Sequence, residues 1–103
     1  MENKLPEDFK KRWVEALRSG EYKQCRGKLH GDDGGHCCLG VADIVFDLKV
    51  DGYYLLHGEN VPSAIRGSSD MANRLAAMND GNIEIGIEPH SFFQIADYIE
   101  KNL

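Results

Sequence analysis

Apolar residues recur along this chain in three different registers, and each register predicts a different kind of element. In 6–19, PEDFKKRWVEALRS, Phe9, Trp13, Ala16 and Leu17 fall at helical spacing, with Lys10, Lys11, Glu15 and Arg18 mostly on the other side. Pro6 suits a first turn, Glu7 and Asp8 complement the helix dipole, and Gly20 sits where a left-handed cap is wanted. In 37–48, CCLGVADIVFDL, nine of twelve residues are apolar, which predicts a central helix covered on most sides, with Asp43 and Asp47 marking its wet stripe. Gly40 within it points to close approach of another backbone. In 82–88, NIEIGIE, isoleucine alternates with polar residues or glycine, the period of a half-buried strand.

The remaining segments read more locally. Residues 21–30 alternate as a short strand broken near Gly27, and GDDGG after it is turn chemistry. GYYLLHG, 52–58, has the composition of a glycine-bounded strand, and Pro62 can start one helical turn. Ser69 is a cap for a helix that ends at Gly81, with Met71, Leu75 and Met78 inward. Ser91 and Gln94 form a capping box for a last helix that buries Phe92, Ile95, Ile99 and Leu103. Together these elements predict an α+β fold: one domain over 1–103, about four helices around the central helix 37–48, and a minor antiparallel sheet.

Composition changes this picture in two respects. The 103 residues suffice for one core only, and no stretch has the run of apolar residues that a membrane span needs. The charged opening MENKLPEDFKKRW is unlike a signal peptide, so a cytoplasmic location is expected, in which the odd set Cys25, Cys37 and Cys38 stays reduced. The net charge of −5 is unevenly spread, +3 over 1–30 and −8 over 31–103. This balance disfavours nonspecific nucleic-acid binding but leaves the first third able to meet an anion.

Candidate chemistry falls in two places. Cys25, His30, His36, Cys37 and Cys38 lack the paired spacing of a zinc site, and adjacent cysteines at the start of an apolar helix fit packing better, so neither a metal nor a catalytic residue is assigned. Cys37 at a helix N-terminus, with its thiolate favoured by the dipole, keeps open a small cysteine-dependent enzyme. Tyr22, Gln24, Arg26, Lys28 and His30, with Tyr54 further on, supply rings and donors able to stack a base and hold a phosphate. The same basic third, on helix and strand, is what a nucleic-acid-binding regulator would use.

The blocks WVEALRSGEYKQ, CCLGVADIV, LAAMNDG and SFFQIADYIEKNL, in that order, resemble a recurring family of small uncharacterised proteins found mainly in bacteriophage and prophage genomes. The chain departs from it where NIEIGIEPH intervenes before the last helix, and in a short segment after the central one. The resemblance implies an accessory protein in the cytoplasm of an infected bacterium. With no catalytic fingerprint in the chain and no cofactor called for, the expectation is a non-catalytic binding protein acting in phage–host conflict. It would be either an inhibitor docking on a host defence protein or a sponge that sequesters a cyclic nucleotide or ADP-ribose-type immune signal. Sponge pockets are often built between protomers, so a homo-oligomer belongs to that reading.

Overall fold

The computed structural model describes residues 5–48, 56–67 and 69–103. Four α-helices carry the described residues: α1 (Glu7–Ser19), α2 (Cys38–Phe46), α3 (Asp70–Asp80) and α4 (Phe92–Asn102), with short 3-10 turns at Ser63–Ile65 and Ile83–Ile85. α1 packs most extensively on α4 and next on α2, and α2 leans on α3.

The helix boundaries follow from the residues that frame them. α1 starts after Pro6 and stops at Gly20 in the left-handed conformation. The hydroxyl of Ser69 accepts from the backbone N–H of Ala72 at the head of α3, and Ser91 with Gln94 closes a complete capping box on α4. α2 is shorter than its apolar run. It ends at Asp47, which takes a left-handed conformation (φ 49°), and the cap at its start is the Cys37 sulfur accepting from Gly40 N–H at 3.4 Å.

The core is built on Trp13, Leu17, Leu39, Val41, Leu75, Ile95 and Ile99, all almost fully buried. Trp13 also donates its indole N–H to the carbonyl of Cys38 at 2.9 Å, so the largest core side chain fixes the first turn of α2 to α1. The close approach expected at Gly40 is to Leu29: a Cβ there would overlap the Leu29 carbonyl, so glycine lets segment 21–36 lie directly on α2.

The predicted sheet is not formed. Among the described residues only isolated bridges occur, joining Gln24 and His30 to His36, Leu56 to Arg66, and Asn82 to Ile87. The fold is therefore helical rather than α+β. In segment 21–30 the bend over 26–29 around a left-handed Gly27 (φ 89°), and the turn 31–35 after it, limit pairing to single residues. In NIEIGIE the alternation is real and the strand is not. Asn82 caps the N–H of Glu84, Gly86 is left-handed, and the segment closes on itself without a neighbouring strand. GYYLLHG lies largely outside the described residues; its Leu56 is buried and bridges to Arg66.

Candidate functional site

Segment 21–36 crosses the N-terminal end of α2, and its side chains divide into three groups. Tyr22, His30 and His36 come together: the Tyr22 ring meets His36 edge-on with centroids 6.1 Å apart. His30 Nδ1 lies 2.7 Å from His36 Nδ1, and His30 Nε2 lies 2.8 Å from an oxygen of Asp43 on α2. Burial first, and then the neighbouring His30, push the His36 imidazole below its ordinary value, while Asp43 acts the other way. Neutral His36 is thus the favoured form near pH 7.

Gln24 belongs to a second group that faces inward. Its amide donates to the carbonyl of His90 and to Asn79 Oδ1, both at 2.8 Å. Asn79 is fully buried, and its Oδ1 also accepts from Cys38 N–H at 3.2 Å. Its Nδ2 donates to the Cys25 carbonyl and to Asp80 Oδ1, both at 2.9 Å, and that same Asp80 oxygen accepts from Gly27 N–H at 2.9 Å. One side chain thereby ties segment 21–36, the start of α2 and the end of α3, and through Gln24 the approach to α4.

The third group is cationic. Lys23 pairs with Asp33 at 3.1 Å and Lys28 with Asp32 at 3.5 Å, so the acidic turn GDDGG compensates the two lysines beside it. Arg26 stands exposed next to Gly27. Tyr54 lies outside the described residues.

The cysteines have a packing environment. Cys37 and Cys38 are buried, Cys38 donates its S–H to the Leu75 carbonyl at 3.6 Å, and burial pushes the Cys37 thiol up to about 11 and that of Cys38 well above its usual value. At neutral pH both are thiols, the weakly nucleophilic form. Among the described residues no three or more His, Cys, Asp or Glu side chains converge as metal ligands.

A different region stands out on the far side of Asn79. Gly81 (φ 82°) turns the chain out of α3, and a Cβ there would lie 2.8 Å from Cδ of Pro89. Gly81 and Pro89 thus form the neck of a loop, closed by His90 N–H to the Met78 carbonyl at 2.6 Å. Within the loop Asn82 and Ile87 exchange backbone hydrogen bonds of 2.7 and 2.9 Å, and the Asn82 side chain holds Glu84 N–H at 3.1 Å. This locked loop presents Ile83 at 94% and Ile85 at 67% exposure beside an open groove of about 550 Å3 that includes Ile87 and Pro89. The strand reading sets half of these residues against a core, although a protein partner is also expected to use exposed residues such as Tyr53 and Ile85, and Ile85 is exposed here. Ile83 has the NIEIGIEPH insertion as its signal in the sequence.

Fold and site together define a small helical domain with a hydrogen-bonded loop clasp at one end of α2 and an apolar loop at the exit of α3. Residues 5–52, which carry α1, segment 21–36 and α2, match the model of a family described as a domain of unknown function (DUF8296). No curated protein and no solved structure matches the chain.

Proposed function

We propose that this chain is a non-catalytic binding protein that inserts loop 82–88 into an apolar cleft, rimmed by basic residues, on a protein partner. The observation that carries this reading is the exposure of Ile83 and Ile85 on a backbone already locked by hydrogen bonds. Single exposed apolar residues are ordinary, but two on one rigid loop are prepaid in conformational entropy. Burying both would contribute about 3–6 kcal/mol. The partner's charge follows from the loop: 80–88 holds Asp80, Glu84 and Glu88 and no Lys, Arg or His. Arg74 of α3 lines a groove beside Ile85 and Ile87, but the loop itself carries acids only, so a second copy meeting it loop to loop would oppose acids with acids, whereas a basic rim complements them.

In the phage setting that the resemblance implies, the partner is a bacterial protein and the chain its inhibitor. The nucleotide sponge has less support. Its lysine is paired within the chain and its glutamine is turned to Asn79, leaving Arg26 as the exposed cation of that set.

The test pairs two measurements. Calorimetry of the intact chain against cyclic nucleotides and ADP-ribose derivatives should give no heat. Affinity capture from bacterial lysate should retain a protein that is lost on combined Ile83→Ser and Ile85→Ser substitution and kept on Arg26→Ala. Nucleotide heat, capture indifferent to the two serines, or self-association abolished by them would each overturn the reading.

A further inference from the structure

The contact between His30 and His36 has a property that neither packing nor loop docking uses. The two ring centroids are 4.9 Å apart and the two Nδ1 atoms 2.7 Å apart, and two ring radii account for the difference. The nitrogens therefore point almost straight at each other. A carboxylate only accepts, so Asp43 fixes His30 Nε2 as a donor. In the neutral pair the bare His30 Nδ1 then accepts from His36 Nδ1–H. If the pair takes up one proton, a single proton still lies on the axis and the bond becomes charge-assisted. If it takes up two, both nitrogens carry hydrogens that face each other on two like charges, and the contact cannot persist.

We propose that Asp43, His30 and His36 form a one-proton latch that clasps the 31–35 turn to α2 and lets it go when the histidine pair carries two protons. The turn is closed by its own backbone bonds, Gly31 N–H to the Gly35 carbonyl at 2.7 Å and Gly34 N–H to the Gly31 carbonyl at 3.2 Å, so it would move as one unit. His30 and His36 are the residues on either side of it, bridged to each other, and Gly31, Gly34 and Gly35 lie between them. The groups facing His36 are His30 in front, Asp43 beyond it on α2, and the Tyr22 ring edge on another side. The charged residues of the turn itself are already engaged, Asp33 with Lys23 and Asp32 with Lys28. Burial lowers the proton affinity of His36 first, and the facing His30 lowers it second; the second cause is the repulsion that a second proton would meet. Opening would uncover the Tyr22 ring and free the histidine rings to solvent.

Nitrogen-15 spectra of the uniformly labelled full chain, followed from about pH 8 to about pH 4.5, test the latch. The ring nitrogens of His30 and His36 should titrate as a coupled pair in two steps separated by more than about one unit. The amides of Gly31, Gly34 and Gly35 should move with the lower step. The signals of His57 and His90, which lie outside the pair, serve as internal references. In His30→Phe the two-step behaviour of His36 and the glycine response should both vanish; if that variant does not fold, the spectra of the unsubstituted chain decide. Independent single-step titration of His30 and His36, glycine amides that ignore pH, or an unchanged glycine response in folded His30→Phe would overturn the proposal.

Discussion

Replacing Asn79 by alanine should be among the most damaging polar substitutions in the chain. The side chain is fully buried and serves four partners: Gln24 and Cys38 as donors, the Cys25 carbonyl and Asp80 as acceptors. Gln24 keeps its bond to His90, and Asp80 keeps Gly27. Cys38 N–H would be left unsatisfied in a buried place, which costs about 1–3 kcal/mol, and the part-buried Cys25 carbonyl would add a smaller loss. The expected loss is therefore about 1–4 kcal/mol, a large fraction of the stability of a domain this size. Asn79→Asp sharpens the test, because it retains the acceptor for Cys38 and Gln24 but places a carboxylate against the Asp80 oxygen and the Cys25 carbonyl. It should be at least as destabilising as alanine despite being isosteric. Urea unfolding followed by Trp13 fluorescence measures both. An Asn79→Ala loss below about 1 kcal/mol, or an aspartate variant near the native stability, would refute the reasoning that this amide is what joins the segments.

Three further outcomes are expected. Gly40→Ala, which forces a methyl group against the Leu29 carbonyl, should destabilise by at least about 1–3 kcal/mol in the same unfolding assay, and a neutral result would mean that segment 21–36 does not lie on α2 as described. Disulfide-exchange reagents should leave Cys37 and Cys38 unmodified in the folded chain and label all three cysteines in denaturant; rapid labelling of Cys37 in the folded state would revive a thiol-dependent activity. Stability should decline as pH falls through the ordinary histidine value of 6.5 and level off below the lowered value of folded His36, because in that window the unfolded chain binds the proton that the folded chain refuses. His36→Phe should flatten this part of the urea stability profile, and an unaltered slope would assign the dependence elsewhere.

What was legible in the sequence was whatever short-range chemistry decides. Gly20, Ser69 and the Ser91–Gln94 box frame helices through contacts within four residues, and their helices formed where expected. Gly40 announced a close approach, although not to which backbone. The sheet failed because alternation states which side chains share a face and not whether a second strand exists to pair with. In 82–88 the local bonds of Asn82 and Gly86 had no strand to compete against. The site was legible only in part. Tyr22 and His30 belong to the set expected to stack a base and hold a phosphate, but their partners, His36 and Asp43, come from positions that read as helix start and wet stripe. Asn79 looked like part of a helix stop, since nothing in MNDG tells that Gln24 and Cys38, 55 and 41 residues away in sequence, turn toward it.

The neck formed by Gly81 and Pro89 separates what is presented from what holds the fold. Above it, Ile83 and Ile85 contribute nothing to the core; below it, Met78, Asn79 and Gln24 are committed to it. Residues of the tip are thus free to change in length and chemistry without repacking any helix, provided the two neck positions remain. About seven consecutive codons can thus vary while the helices that carry them stay as they are, a replaceable bit on a fixed handle.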